Sequence, residues 1–269
     1  MMRARSGGTW MTDWYEGKSV VVTGGGSGIG AAAARRFAQE GAGVCVADIN
    51  LEAAEAIATS IVAEGNRAIA VRADISDLDD NREMMRRAVD AFGALKAVFL
   101  NAAYLPPFGN FEDSSVEAFD KALAVNLRGT FLGLKTALSI LQPGGAVVVT
   151  GSTAGIRGLP MGAAYSASKH GVLGLVASSS QSFAARGCRV NAICPGTTVT
   201  AMALEAGMKQ DGDWQTVVDP AALPMAEFRG RLRPQHIAEV ALFLASPLAG
   251  GINGTAYPVD AGYLSTMVE

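Results

Sequence analysis

The chain has 269 residues, with 22 Lys or Arg against 25 Asp or Glu, so its formal net charge at pH 7 is −3. This balance argues against a nucleic-acid or anionic-membrane partner and favours a small molecule. The length accommodates one α/β domain with a sizeable core. The three cysteines lie in apolar runs without a CxxC spacing. We therefore expect no metal site and no disulfide, but buried thiols in a reducing compartment.

The beginning of the chain carries two arginines but no continuous apolar segment that could form a signal-peptide core. No later apolar run is long enough to cross a bilayer, so we expect a cytoplasmic protein without a membrane partner. Residues 1–14 lack a periodic pattern and are expected to form a flexible extension, in which Met11 is a second candidate start. Residues 15–269 are expected to form a single domain.

From Lys18 onwards, short β-branched runs alternate with alanine-rich helical segments, which is the pattern of βαβ units. The predicted strands are 19–23, 44–48, 68–72, 97–101, 146–151, 189–194 and 255–259. The predicted helices are 28–40, 51–64, 77–92, 116–141, 164–186 and 234–245. The pattern predicts an α/β fold, a Rossmann-type doubly wound sheet of seven parallel strands with helices on both faces. The long segment 196–233 has no dominant period and is predicted to be a substrate loop or lid.

A glycine-rich turn, TGGGSGIG at 23–30, joins the first predicted strand to the first predicted helix. Such a turn directs backbone N–H groups and a helix N-terminus at a pyrophosphate, and glycine permits close backbone approach. The next strand ends at Asp48, eighteen residues after Gly30. A carboxylate there would accept hydrogen bonds from the adenosine ribose and repel a 2′-phosphate. Because Ile49 and Asn50 follow instead of a cation, the pattern favours NAD over NADP.

A second pattern combines Tyr165 with Lys169, four residues later in a predicted helix, so both side chains lie on one face. A phenol with a pKa near ~10 is a poor base at neutral pH, but a neighbouring ammonium group favours the phenolate. We therefore expect an acid/base pair in which Lys169 lowers the pKa of Tyr165. Ser152, thirteen residues before Tyr165, ends a predicted strand and is either part of this site or a turn or helix-cap serine.

With these residues considered together, residues 18–262 resemble the single-domain soluble branch of the short-chain dehydrogenase/reductase family. The shared features, in the family's order and spacing, are the TGxxxGxG turn, Asn101-Ala102-Ala103, Asn126, Ser152, Tyr165-xxx-Lys169 and Pro195-Gly196. The resemblance implies an NAD-dependent oxidoreductase that interconverts a secondary alcohol and a ketone by hydride transfer.

The resemblance also implies a catalytic tetrad of Asn126, Ser152, Tyr165 and Lys169. Tyr165 would exchange a proton with the substrate oxygen, which Ser152 would hold by a hydrogen bond. Lys169 would also bond the nicotinamide ribose. Asn126 would hold a water that connects Lys169 to solvent, although an amide among apolar neighbours could instead serve a helix contact.

The cofactor site implied by the resemblance extends over most of the carboxyl edge of the sheet. Its expected residues are Gly24, Ser27, Gly28, Ile29, Gly30, Asp48, Ile49, Asp74, Ile75, Asn101, Ala102, Ala103, Tyr165, Lys169, Pro195, Gly196, Thr198 and Thr200. Asp74 would receive the adenine amino group, unless it is only a turn residue. Two positions depart from the family pattern, since Ala103 and Ala261 stand where glycine is usual.

The expected substrate residues lie in three loops and are mostly apolar, which favours a hydrophobic alcohol or ketone. They are Tyr104, Leu105, Ile156, Leu159, Met202 and Trp214. A 3-oxoacyl-thioester reductase that uses NADPH is an alternative, against which Asp48 counts. A non-catalytic dinucleotide-binding protein is disfavoured because the tetrad is intact.

The small residues along 126–139 and 162–180 would let helices pack closely. In the family such helices form a four-helix contact between subunits. The resemblance therefore implies a homotetramer, with a dimer as the alternative.

Overall fold

The computed structural model of the chain describes residues 2–4, 10–12, 14–205 and 232–266. Two short strands, β1 (Met2–Ala4) and β2 (Trp10–Thr12), pair antiparallel in the N-terminal extension. The sequence pattern did not indicate these strands, because three residues are too few for a periodic signal.

Seven further strands form one parallel sheet in the order β5-β4-β3-β6-β7-β8-β9. They are β3 (Ser19–Thr23), β4 (Gly43–Asp48), β5 (Arg67–Arg72), β6 (Leu95–Leu100), β7 (Ala146–Thr150), β8 (Arg189–Pro195) and β9 (Ala256–Val259). The predicted fold class is confirmed, and the strand ends differ from prediction by at most two residues. Strands β3 and β6 are neighbours although the chain visits β4 and β5 between them. The loops after these two strands therefore diverge and leave a crevice at the carboxyl edge.

Helices cover both faces of the sheet. They are α1 (Gly28–Gln39), α2 (Leu51–Ala63), α3 (Leu78–Phe92), α4 (Val116–Ala122), α5 (Gly129–Ile140), α6 (Ala163–Ala184), α7 (Ala201–Glu205), α8 (Pro234–Ala245) and α9 (Tyr263–Thr266). Helices α1, α2 and α8 contribute to one core cluster, and α3, α5 and α6 contribute to the other. Successive side chains of β3 alternate between the clusters, with Val20 and Val22 in the first and Val21 in the second. The sheet is therefore buried on both faces, as parallel sheets are.

The prediction of one continuous helix over 116–141 is wrong, because the helix is interrupted near its middle. A π-helical turn at Leu123–Arg128 separates α4 from α5 and contains Asn126. Asn126 bonds the loop after β6 and a serine of α6. These contacts join residues 22 and 42 positions apart, so no local periodicity could have revealed them. Short π-helical turns of this kind often lie at functional sites.

The glycine turn tolerates no side chain at Gly30, which lies in the first turn of α1. A Cβ there would be 1.9 Å from the carbonyl oxygen of Gly24 and 2.9 Å from Nδ2 of Asn101. Gly24 itself has φ 62°, in the left-handed region that favours glycine. Gly30 is therefore required by packing within the turn.

We predict that Gly30→Ala destabilises the protein by about 3 kcal/mol, because the turn must open to accommodate the methyl group. The matched control is Gly251→Ala, in the turn before β9, where a Cβ would meet no atom within 4 Å. That change is expected to stabilise by about 0.4–1 kcal/mol, since alanine lowers the conformational entropy of the unfolded chain. Urea denaturation measures both free energies of unfolding. Equal stability of the two variants would contradict the packing argument.

Candidate active site

The carboxyl ends of the central strands open onto a cleft of about 630 Å³. All the expected cofactor residues except Gly30 line it, and Gly30 packs instead against the carbonyl of Gly24. Three members of the expected tetrad, Ser152, Tyr165 and Lys169, also line the cleft. The structure therefore brings the dinucleotide motif and the acid/base pair, which are far apart in sequence, to one crevice.

Asp48 is held against the glycine turn by backbone hydrogen bonds. Its Oδ2 accepts from the N–H of Gly26 at 2.9 Å, and its Oδ1 accepts from the N–H of Asn50 at 3.0 Å. A Cβ at Gly26 would lie 3.0 Å from Oδ2, so glycine is needed for this approach. The carboxylate therefore has a fixed position at the end of the cleft, where a 2′-phosphate would meet its negative charge.

Asn101 joins the ends of three strands with its side chain. Its Nδ2 donates to the carbonyl of Thr23 at 3.1 Å, and its Oδ1 accepts from Oγ1 of Thr150 at 3.1 Å. Its backbone N–H also donates to Oγ1 of Thr23 at 2.9 Å. Both ends of this amide are engaged by the protein. Asn101 therefore shapes the floor of the cleft, and its neighbours Ala102 and Ala103 form part of the lining.

The acid/base pair lies in the first turns of α6. The Lys169 side chain is 2% exposed, and its Nζ donates to the carbonyl of Thr150 at 2.7 Å and lies 5.6 Å from the centroid of the Tyr165 ring. Ser152 follows β7 and shares a hydrogen bond with the Tyr165 hydroxyl. Its Oγ also accepts from the N–H of Ala154 at 3.0 Å. Ser152 thus combines the two functions that the sequence left open, a turn cap and a partner of Tyr165.

Burial determines the protonation of this pair. It raises the pKa of Tyr165 to about 12, although the hydrogen bond from Ser152 opposes the rise. Burial also lowers the pKa of Lys169 to about 8, against a smaller upward effect of the nearby Cys194. The expected lowering of the Tyr165 pKa is therefore wrong for this structure, because desolvation of the phenolate outweighs the stabilising contacts. At neutral pH the pair consists of a phenol and an ammonium group.

Asn126 is the member of the expected tetrad that does not line the cleft. It is 1% exposed, and its side-chain amide bonds the backbone of Tyr104 and the hydroxyl of Ser168. Its main-chain carbonyl accepts from Oγ1 of Thr130 at 2.6 Å. Asn126 therefore connects elements behind the site.

The substrate side of the cleft is partly as expected. Leu105, Leu159 and Met202 line it, whereas Tyr104 and Ile156 do not. The Tyr104 ring packs instead against the Lys121 ammonium, 4.4 Å from the ring centroid, and Ile156 is exposed to solvent. Trp214 lies outside the described residues, as does most of the predicted lid.

Sequence reasoning missed several lining residues. Lys121, Ala124 and Val125 reach the cleft from α4 and the π-helical turn, and Tyr263 reaches it from α9. The first three have the i, i+3, i+4 spacing of one helix face and come just before Asn126. This spacing could have indicated that they face the same side as the site. Tyr263 follows the closing turn of the chain, where no pattern indicated a return to the site.

The closing turn also explains one departure from the family pattern. Ala261 has φ 52°, a left-handed conformation in which glycine is usual. Asp260 holds this turn, because its Oδ1 accepts from Gly262 N–H and its Oδ2 accepts from Leu264 N–H. The turn therefore keeps its shape without glycine and presents Tyr263 to the cleft.

Within the ranges that the structure describes, no group of three or more His, Cys, Asp or Glu is arranged to hold a metal ion. The same ranges contain no helix with the length and hydropathy needed to span a membrane. All three cysteines are buried and free. His170 and His236 lie outside the cleft lining; the first bonds the carbonyl of Ser166 and the second the N–H of Arg233.

Comparison with known proteins agrees with this site. Residues 24–264 match a family model described as Enoyl-(Acyl carrier protein) reductase. The chain is 34% identical over 258 residues to the cyclohexanol dehydrogenase of Acinetobacter sp. (strain SE19), across 95% of this chain and 98% of that protein. The chain belongs to the short-chain dehydrogenase/reductase family. It is an oxidoreductase that acts on CH–OH groups.

Solved structures of short-chain dehydrogenases/reductases share this fold. The crystal structure of levodione reductase superposes with a TM-score of 0.83 at 33% identity, covering 94% of this chain and 99% of that one. A short-chain dehydrogenase from Burkholderia cenocepacia J2315 in complex with NADP gives a TM-score of 0.77 at 31% identity, covering 91% and 97%. The family and the cleft together assign a nicotinamide dinucleotide as cofactor, either NAD or NADP.

The pKa values predict opposite pH dependences for the two reaction directions. If Tyr165 is the base for alcohol oxidation, its pKa of about 12 predicts that kcat for oxidation rises by up to about tenfold per pH unit between about pH 7 and about pH 9. Ketone reduction uses the phenol, which is already populated at neutral pH, so its kcat should not rise. The measurement is kcat against pH in both directions.

Two variants accompany this experiment: Tyr165→Phe removes the proposed acid/base group, and Tyr257→Phe is the control. Tyr165→Phe should lower kcat by about 10²–10⁴-fold in both directions while dinucleotide binding persists. Tyr257→Phe, on the half-exposed β9, should have no effect. Oxidation that is fastest near pH 6 would be incompatible with Tyr165 as the base.

Proposed function

We propose that the enzyme interconverts apolar secondary alcohols and ketones with NAD, with Tyr165 as the acid/base group. The observation that carries this proposal is the contact of Tyr165, Ser152 and Lys169 at one end of a cleft whose lining continues through Leu105, Leu159 and Met202. A group of polar side chains next to an apolar lining suits a substrate that has one reactive oxygen and is otherwise hydrocarbon.

In the oxidation direction, the Ser152 hydroxyl holds the substrate oxygen beside Tyr165, and Tyr165 accepts the proton of that oxygen. The bound dinucleotide supplies the hydride acceptor. Lys169 keeps a positive charge 5.6 Å from the ring centroid, which favours the phenolate as it forms. In the reduction direction, Tyr165 returns the proton to the carbonyl oxygen, and Ser152 donates to the same oxygen as negative charge develops.

Asp48 supports NAD as the preferred cofactor. Two backbone N–H groups fix its carboxylate beside the glycine turn, so it cannot withdraw from an approaching 2′-phosphate without losing these bonds. No cation follows it in sequence to reverse the preference, since Ile49 and Asn50 stand there. The neighbour that was crystallised with NADP is only 31% identical to this chain, so its cofactor does not decide the preference of this chain.

For the substrate we propose a cyclic secondary alcohol of about the size of a six-membered ring. The apolar lining supports a hydrocarbon frame, and one relative bears the name cyclohexanol dehydrogenase. A 3-oxoacyl-thioester reductase that uses NADPH is the second candidate, because the matching family model is described by an acyl-carrier-protein substrate. Asp48 disfavours that candidate through its repulsion of a 2′-phosphate.

We predict that purified protein oxidises cyclohexanol with NAD more efficiently than with NADP, by roughly tenfold or more in kcat/KM, and that Asp48→Ala narrows this ratio. The physical reason is removal of the charge that repels the 2′-phosphate. The matched control is Asp79→Ala on the exposed side of α3, which should leave the ratio unchanged. Absorbance of the reduced dinucleotide at a series of cofactor concentrations measures kcat/KM with both cofactors for all three proteins.

Two outcomes would reject parts of this proposal. NADP preference in the unmodified protein would remove the argument from Asp48. Absence of hydride transfer across a panel of cyclic and linear alcohols and ketones, with dinucleotide binding intact, would remove the catalytic proposal. Activity with a 3-oxoacyl thioester and NADPH alone would establish the second candidate.

We also propose a cytoplasmic homotetramer. Three buried free thiols suit a reducing compartment. A mostly apolar surface depression beside α5 and α6 supports self-association. Its lining residues are Leu123, Ala124, Leu127, Arg128, Phe131 and Leu175. Phe131 is 47% exposed, which is unfavourable unless another surface covers it.

Phe131→Glu is expected to lower the molecular mass measured by light scattering from that of a tetramer to that of a dimer or monomer, because it places a charge in the contact. The matched control is Phe111→Glu, an exposed aromatic remote from the depression, which should leave the mass unchanged. A monomeric parent protein at micromolar concentration would refute the proposed assembly.

A further inference from the structure

The amide of Asn126 holds the loop after β6 at two atoms. Its Oδ1 accepts from the Tyr104 N–H at 2.7 Å, and its Nδ2 donates to the Tyr104 carbonyl at 2.9 Å. The remaining Nδ2 proton is directed to Oγ of Ser168 at 3.0 Å. One amide therefore joins the cofactor-side loop to helix α6.

Ser168 completes this connection and is 0% exposed. Its hydroxyl donates to the carbonyl of Tyr165 at 2.8 Å. A serine hydroxyl has one proton, so Oγ must act as acceptor toward Asn126. The donor and the acceptor of each hydrogen bond between the Tyr165 carbonyl and the Tyr104 backbone are thereby determined. The Asn126 amide satisfies all these bonds in one orientation only.

Removal of the Ser168 hydroxyl would leave one buried donor without a partner, whereas the Tyr165 carbonyl would keep its helical N–H donor within α6. One Nδ2 proton of Asn126 would lose its acceptor, in a place without access to water. The Tyr165 carbonyl would lose its side-chain donor. Unpaired buried polar groups are costly, so Asn126 would tilt or rotate to find other partners and release the Tyr104 backbone.

The connection matters for geometry because of what lies at its two ends. Tyr104 directly follows Ala102 and Ala103 in the cleft lining and precedes Leu105, which also lines it. Tyr165 and Lys169 lie on the helical turn that Ser168 occupies. A shift of this turn relative to the loop would change the distance between the acid/base pair and the dinucleotide site.

We propose that Ser168 is a positioning residue, whose hydroxyl fixes the Asn126 amide and thereby holds the first turns of α6 against the loop that lines the cofactor site. This inference extends the proposed function, because it states how the Tyr165–Lys169 pair keeps its place relative to the cofactor. Ser168 acts through Asn126 and touches no reacting atom.

The first experiment compares Ser168→Ala with Ser180→Ala. The Ser180 hydroxyl makes the same type of bond within α6, to the Ala177 carbonyl at 2.8 Å, but has no bond to Asn126. Ser168→Ala should lower kcat for alcohol oxidation about tenfold, change KM for NAD less than about twofold, and move the rising limb of the pH profile to higher pH. Ser180→Ala should change none of the three. Identical kinetics and pH profiles of the two variants would overturn the proposal.

A double-mutant cycle tests whether Ser168 acts through Asn126. Without the Asn126 side-chain amide, the Ser168 hydroxyl has no group to position. The double variant Ser168→Ala/Asn126→Ala should therefore have a kcat no lower than that of Asn126→Ala alone. Additive losses of kcat would show that Ser168 acts independently, and the proposal would then fail.

Hydrogen exchange provides a test that does not depend on activity. The Tyr104 amide proton is bonded to Asn126, so it should exchange about tenfold faster in Ser168→Ala, but not in Ser180→Ala, while the amides of β6 and β7 keep their protection. Unchanged exchange at Tyr104 would reject the inference whatever the kinetics. If exchange accelerates as expected but the parent protein transfers no hydride, the proposed function fails and the positioning of the loop by Ser168 stands.

Discussion

The structure of the site depends on the hydrogen bonds that Asn101 makes at the centre of the sheet. Parallel strands present their carboxyl ends at one edge, and side chains can join these ends beyond the last backbone pairs of β3, β6 and β7. Asn101 does so by bonding Thr23 at the end of β3 and Thr150 at the end of β7. The Thr150 carbonyl in turn accepts from Lys169. Through these bonds, the floor of the cleft and Lys169 are held by the same group of residues.

Burial then gives the acid/base pair its chemical character. Lys169 is enclosed, its ammonium group donates to a backbone carbonyl, and burial lowers its pKa to about 8. Tyr165 is held as a phenol because the same surroundings disfavour its anion. The site is therefore prepared to donate a proton at neutral pH. Tyr165 can accept a proton only as a phenolate, and a rise in pH increases the phenolate fraction.

Much of the fold was predictable from local patterns. The β-branched runs indicate buried parallel strands, and the alanine-rich segments between them indicate helices that cover the sheet. The seven strands followed from these patterns, whereas the set of cleft-lining residues from Gly24 to Thr200 was expected from the family resemblance. The interruption of the helix at Leu123–Arg128 was not predictable, since its cause is a set of bonds to Tyr104 and Ser168. Tyr104 was expected to line the substrate pocket, but its backbone is held by Asn126 and its ring faces Lys121. Both results arise from contacts between residues that are distant in sequence.

The sequence by itself determined the family, the doubly wound sheet and the glycine turn, and it supplied the candidates for proton transfer. These depend on residue type and spacing, which a linear chain displays directly. Only the tertiary structure decided the direction of the Tyr165 pKa shift, the position of Asn126 behind the cleft, and the contribution of Tyr263 to its lining. The physical reason is that desolvation and hydrogen-bond saturation depend on all neighbours of a group at once. Those neighbours come from strands and helices that the chain brings together only on folding.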